Sequence, residues 1–214
     1  MFPVLLGAEL GSAAYGLSLP DSRRAVRQVN LCPTSDLLGL VGTPRPRWSK
    51  PGVDTHELGP FLRGVLAGDP NAVELLWSEA YEICTEQGEW LLRHRTDLLD
   101  GRRLAAAYLS AARRQQQLGR TASSRRARFA AGKHCARLVE HGTALHQTGR
   151  LRLRVEREAV LGFAERFADE LDTGSKLLDR FERTLSAPPA LGPGDAELAE
   201  HWLVGVRTEQ LLAS

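Results

Sequence analysis

Gly11 and Ser12 end a short apolar run, residues 4–10, and lead through a turn-rich loop to a second strand-like run, residues 26–32. At such a strand-to-helix junction glycine permits close backbone approach, and the hydroxyl and N–H of Ser12 could hold a phosphate. Lys133 and Arg137 are four residues apart and share one helix face. On an inward face such a basic pair would clamp an anion; on an outward face it would simply be solvated. For acid–base chemistry the candidates are His56 and the adjacent Glu57. Glu57 has a competing structural role as an acid at a helix N-terminus, where the dipole favours it. His134, His141 and His146 form no HExxH or i, i+4 metal pair, and His94 and His201 sit in ordinary helical patterns, so a zinc site is not expected. Glu74 reads as a structural partner tying two helices together.

The elements that must position these groups follow from periodicity and punctuation. Residues 4–10 predict a first strand, 12–17 a short helix, Pro20-Asp21-Ser22 a turn and 26–32 a second strand. Pro33-Thr34-Ser35-Asp36 breaks that strand, and residues 37–40 form a compact apolar turn. Residues 42–52, with Pro44, Arg45, Pro46, Arg47, Lys50 and Pro51, predict a loop. Residues 53–58 begin as a third strand and turn into a helix carrying Leu58, Phe61, Leu62, Val65 and Leu66 at i, i+3, i+4, i+7 and i+8. Asp69-Pro70 or Asn71 caps a shorter helix, and Thr85 another. Beyond Gly101 the pattern is helical: 104–117, 123–146, 158–171 (ending on Leu171), 175–185, and a last helix from Asp195 to Leu212. Residues 151–155, Leu-Arg-Leu-Arg-Val, alternate with period two and predict a short strand or an arm. The expected fold is α+β. A small mixed sheet flanked by helices fills residues 1–100, and a mainly helical domain fills residues 101–214.

Hydrophobic content of 43% with 25% charged residues is ordinary for a globular chain, whereas 6% aromatics disfavours a base-stacking platform. Cys32, Cys84 and Cys135 are far apart and odd in number, which argues for a reducing compartment and against a disulfide framework. Glu9 interrupts the first apolar run, there is no basic leader, and no stretch has the length of a membrane span, so a cytoplasmic protein is expected. Charge is uneven. Residues 101–139 hold ten Lys/Arg (Arg102, Arg103, Arg113, Arg114, Arg120, Arg125, Arg126, Arg128, Lys133 and Arg137) and no acid, leaving −8 on the rest of a chain of net charge +2. That asymmetry points either to an anionic ligand or to a helical face that pairs with acidic helices elsewhere.

The stretch Gly11-Ser12-Ala13-Ala14-Tyr15-Gly16-Leu17-Ser18-Leu19-Pro20-Asp21-Ser22 resembles the signature of the DNA polymerase β-like nucleotidyltransferases, in the bacterial branch reading Gly-Ser-x-Ala-Tyr-Gly-Leu-x-x-Pro-x-Ser-Asp-x-Asp. Residues 56–63 with 71–77, and 133–138, resemble two later motifs of that branch, although Pro60 replaces a lysine. The resemblance implies a nucleotidyltransferase-like fold, Lys133 directed at nucleotide phosphates, and Glu57 or Asp54 as the descendant of a third carboxylate. It also implies metal-binding aspartates where this chain has Arg23 and Ala25. Arginine repels a divalent cation and alanine supplies no ligand, so Mg²⁺ and two-metal transfer are not expected. Arg23 instead offers a guanidinium fork to an anion, with Arg24, Arg27, the Gly11-Ser12 backbone and Lys133 as its companions, and Arg137 beside Lys133.

The expected function is therefore a nucleotidyltransferase-fold protein that has lost two-metal transfer and binds a nucleotide or another anionic small molecule in the old cleft. The alternatives are a metal-independent enzyme acting on an anionic substrate with His56 or Glu57 as acid or base, and retained transfer through carboxylates recruited from Glu9, Asp21, Asp54 or Glu57. Whether the chain is an enzyme stays open at this point. A nucleotide is the candidate ligand, nucleic acid is a less favoured partner, no membrane partner is expected, and the oligomeric state is open.

Overall fold

A computed structural model of the chain describes residues 2–20, 22–38, 47–170 and 172–213. Asp21, the part of the expected apolar turn and basic loop within residues 39–46, and Leu171 lie outside the described residues. The centre of the molecule is β1 (Val4–Leu10), whose Leu5, Leu6, Ala8 and Leu10 are all buried. It pairs antiparallel with β2 (Ala25–Asn30) on one side and with β5 (Tyr81–Cys84) on the other. β2 in turn pairs parallel with β4 (Val53–Glu57), and β4 antiparallel with β3 (Arg47–Lys50). The result is a mixed sheet of order β3-β4-β2-β1-β5.

The parallel β2–β4 pair requires a crossover rather than a hairpin. α1 (Thr34–Leu38) lies within that crossover. β4 then runs directly into α2 (Leu58–Leu66), as the sequence indicated, because the apolar period changes from two to 3.6 at Leu58. Asp69 caps α3 (Pro70–Leu75) by accepting from Asn71 N, and Pro70 stands at the first helical position, where a missing N–H costs nothing. α4 (Glu86–Arg93) is capped by Thr85, and Gly101 opens α5 (Gly101–Thr121) behind its cap Asp100. α6 (Arg125–Thr148) begins at the cap Ser124 and stops at Gly149, whose φ of 67° is the left-handed conformation glycine adopts without strain. α7 (Arg157–Asp169), α8 (Asp172–Leu185) and α9 (Ala196–Leu212) complete the helical half.

α6 is the axis of that half, packed along α5, α7 and α8. Phe167 of α7 is the wedge that sets their spacing. A Cβ added to Gly119 of α5, Gly132 of α6 or Gly174 of α8 would come within 2.3, 2.7 and 2.6 Å of its ring. Buried hydrophobic residues from Leu5 to Val206 form one continuous core, so sheet and helices share a single interior. α9 packs on α1 and α2, and its Trp202 stacks on Trp90 of α4 at 4.0 Å between ring centroids. No described helix is long and apolar enough to cross a membrane.

Several expectations change. Part of the expected loop 42–52 forms the edge strand β3, and residues 34–38, expected as a strand break and an apolar turn, form α1. Residues 12–17 form a series of tight turns rather than a short helix: Tyr15 N donates to Gly11 O, Gly16 N to Ala13 O and Leu17 N to Ser12 O. Gly16, at φ 71°, turns the chain out of the helical path after a single turn. Of the strand or arm expected at 151–155, the structure shows the arm. It buries Leu151, Leu153 and Val155, while Val155 N donates to Tyr15 O and Leu153 O accepts from His141 Nε2.

Candidate functional site

β1 delivers the chain to Gly11, whose φ of 83° starts the turns that carry Ser12. Among the described residues the N–H groups of Ser12 and Ala13 have no acceptor. The turn is held from behind: Leu17 is buried, and Arg157 donates from Nη1 to Gly16 O (2.8 Å) and from Nη2 to Ser18 O (3.1 Å). The next turn closes when Ser22 Oγ accepts from Leu19 N (2.8 Å).

Opposite these turns stands the first half of α6. Arg126, Phe129, Ala130 and Lys133 fall at i, i+3, i+4 and i+7, on one face. With Ser12, Leu19, Pro20 and Ser22 they line a cleft of about 580 Å³, within the range typical of small-molecule sites. Arg126 and Lys133 bring positive charge to this cleft, and Leu19, Pro20 and Phe129 give it apolar surface.

Lys133 is the most unusual group in it. The residue is 9% exposed, yet no carboxylate pairs with it among the described residues. Burial lowers its pKa, and the nearby Arg137 and Arg157 lower it further. Half-desolvated and with two guanidiniums nearby, the Lys133 ammonium would gain from an anion in the cleft.

Arg137, four residues on, points elsewhere. Its Nη1 is ion-paired with Glu74 of α3, and its guanidinium stacks over the ring of Tyr15, 4.2 Å from the centroid. Tyr15 donates its hydroxyl to the other Glu74 oxygen, and His141 Nδ1 lies 3.3 Å from both Glu74 Oε1 and Arg137 Nη1. Burial alone would raise the Glu74 pKa, but Arg137, with the hydrogen bonds from His141 and Tyr15, holds it well below the usual carboxylate range. Tyr15 is pushed up to about 12 by burial and by Glu74. This network joins the Gly11–Gly16 turn, α3 and α6, so Glu74 does tie helices together as its sequence context suggested. Arg137 supports the cleft through that network and does not line it.

The remaining candidates are dispersed. Arg23 is exposed and has no partner among the described residues. Arg24 is exposed and bridges Glu9 of β1 and Glu82 of β5. Ala25 opens β2 opposite Leu10. Register places Ala8, Arg27 and Asp54 in one row across β1, β2 and β4. Arg27 Nε lies 3.8 Å from Asp54 Oδ2, and its two terminal nitrogens bond to Asn71 of α3. Asp54 also lies 3.5 Å from His56 Nε2. Since neighbouring strand residues face opposite ways, His56 and Glu57 are separated although adjacent in sequence. Glu57 caps α2 by accepting from Gly59 N (2.8 Å), and its other oxygen pairs with Arg207 of α9. Neither residue lines the Ser12–Lys133 cleft.

The acid-free segment 101–139 finds its partners across helix interfaces. Arg113 pairs with Glu182, Arg125 with Glu165 and Asp169, and Arg120 lies 3.9 Å from Asp172. Part of its charge is thereby absorbed by α7 and α8.

Of the expected anion-binding residues, the structure brings Ser12 and Lys133 together across one cleft, with Gly11 beside it, whereas Arg27 is held by Asp54 and Asn71. Arg126 and Phe129 were missed as site residues, though their i, i+3, i+7 spacing to Lys133 was readable. A search of curated proteins finds no significant match. The family model described as the RNA repair pathway DNA polymerase beta family matches residues 1–179, from β1 into α8. The chain therefore belongs to that family, within the DNA polymerase β-like nucleotidyltransferases.

Proposed function

We propose that the chain holds a nucleotide or another anionic small molecule in the Ser12–Lys133 cleft and has lost two-metal nucleotidyl transfer. The observation that carries the binding reading is Lys133, buried, unpaired with any described carboxylate and flanked by Arg137 and Arg157. On the other wall the Ser12 N–H has no acceptor among the described residues, and a free backbone donor in a turn favours an anion. The apolar walls suit a ligand with an uncharged body attached to its charged end. The family description concerns RNA repair, which makes a nucleoside phosphate the first anion to test.

The loss of transfer rests on the donor set at the start of β2. Two divalent ions would need carboxylate oxygens on that strand and its neighbour. Arg23 and Ala25 stand there, and Asp54, on the adjacent strand, is engaged by Arg27 and His56. Among the described residues no three His, Cys, Asp or Glu side chains group as a metal site. These residues do not fit a metal pair, and the chain's own cations take over charge neutralisation.

Thermal shift with nucleoside mono-, di- and triphosphates, each in EDTA and in Mg²⁺, tests the proposal. Ligand at a hundred times its Kd should raise Tm by on the order of 5 °C, equally in both buffers. No shift with any anion would sink the binding reading. A shift confined to Mg²⁺ would sink the loss of the metal site.

A further inference from the structure

Lys133 is set apart by residue type as well as by place. Of the 28 lysines and arginines in the chain, only Lys50, Lys133 and Lys176 are lysines. Lys50 and Lys176 are exposed, whereas Lys133 is buried at the wall of the cleft. The cations beside it, Arg137 and Arg157, are arginines, which stay protonated; only a lysine amine can give up its proton and act as a nucleophile. The surroundings favour that loss. Burial lowers the Lys133 pKa, and Arg137 of α6 and Arg157 of α7 lower it further. Arg126 shares the cleft. His134, next along α6, stays neutral near pH 7, because burial above all lowers its pKa to about 4. Glu74, the carboxylate of the neighbouring network, is taken up by Arg137, Tyr15 and His141, and no carboxylate pairs with Lys133 among the described residues.

We infer that Lys133 is a nucleophile that captures, as a Schiff base, the carbonyl group of a phosphorylated aldehyde or ketone bound in this cleft. The Nζ lone pair adds to the carbonyl carbon. Both amine hydrogens then leave with the carbonyl oxygen as water, and a C=N bond replaces the C=O bond without oxidation or reduction. The Ser12 N–H and the Arg126 guanidinium are the donors on hand for the phosphate. Leu19, Pro20 and Phe129 offer apolar surface to the carbon body. A carbonyl ligand of this kind rests on the anion-binding reading of the cleft and narrows its chemistry. An anion without a carbonyl group has the opposite effect on Lys133: it favours the ammonium form and silences the amine.

The test uses the full chain and pyridoxal 5′-phosphate as a chemical probe, an aldehyde and a phosphate in one small molecule. Adducts are trapped with borohydride near neutral pH and located by peptide mass spectrometry, with Lys50 and Lys176 as exposed references in the same sample. Lys133 should be modified about tenfold faster than either reference, because a held phosphate raises the local concentration of the aldehyde. Pyridoxal, which lacks the phosphate, should modify Lys133 about tenfold more slowly than its phosphate does, and ATP should protect Lys133 alone. Modification of Lys133 no faster than of Lys50 and Lys176 would overturn the Schiff base; ATP binding in that same sample would leave the anion site standing. Equal rates with pyridoxal and its phosphate would overturn the phosphorylated ligand. Fast, phosphate-dependent modification that ATP fails to prevent supports the Schiff base and removes the nucleotide from this cleft.

Discussion

Lys133 and Glu74 show how one helix face is divided between binding and support. Both Lys133 and Arg137 are buried on α6, but among the described residues a carboxylate reaches only Arg137. Replacing Glu74 by Gln strips Arg137 of its counter-charge in a fully enclosed site, and should cost about 3–5 kcal/mol in a denaturant unfolding measurement. Lys133→Met should act in the opposite sense on the free protein, because it removes an uncompensated buried cation; Tm should hold or rise. The same variant should lower anion affinity ten- to a hundredfold, as expected for losing a charged hydrogen bond of about 1.5–3 kcal/mol. His134 adds a pH signature. Burial, with Arg137 and Lys133 nearby, lowers its pKa from 6.5 to about 4. Between those values the unfolded chain takes up a proton that the folded chain does not, so stability falls as pH drops from 6.5 toward 4. His134→Gln should flatten that part of a Tm-versus-pH curve, and a curve unchanged in shape would refute the assignment. At this scale the sequence revealed the basic pair but not its division of labour, since Glu74 is remote in sequence from both residues. His56 and Glu57 misled for a simpler reason: adjacent strand residues face opposite sides.

The elements were readable where they carry long periods and clear caps, and obscure where they are short and lie at sheet edges. The passage from β4 into α2, and the long α5 and α6, follow from the apolar period and from Asp100, Ser124 and Gly149 at their ends. β3 and β5 have only four residues each and lie at the two edges, and Ile83 of β5 is 37% exposed, so neither shows an alternating pattern. Residues 12–17 looked helical until Gly16 is seen to take a positive φ. The packing of the helical half depends on absences of side chain rather than on side chains. A valine at Gly132 would place its Cβ 2.7 Å from the Phe167 ring, and should destabilise the protein by about 1–3 kcal/mol through overpacking. Gly205 on α9 meets nothing within 4 Å. There Gly205→Ala should stabilise by about 0.5–1 kcal/mol through helix propensity alone. Paired Tm measurements on the two variants separate close packing from a general effect of losing glycine.

At the scale of the molecule, sheet and helices share one core, and the turns after β1 face α6 across the Ser12–Lys133 cleft. Membership in the DNA polymerase β-like nucleotidyltransferases was visible in the Gly-Ser turn and the α6 motif, because those residues set backbone geometry and charge within short spans. The ligand itself was not legible, since the cleft is assembled from residues 12–22 and 126–133, more than a hundred positions apart. Charge at this scale is shared out: acids on α7 and α8 absorb arginines of α5 and α6, while Lys133 has none among the described residues. The central claim is that this cleft binds an anion by the chain's own cations, without divalent metal. Isothermal titration calorimetry of ATP against the wild-type chain and Lys133→Met, each in EDTA and in Mg²⁺, tests it most directly. The account predicts the same wild-type Kd in both buffers, within twofold, and at least tenfold weaker binding by Lys133→Met; binding that requires Mg²⁺, or that Lys133→Met retains in full, would contradict it.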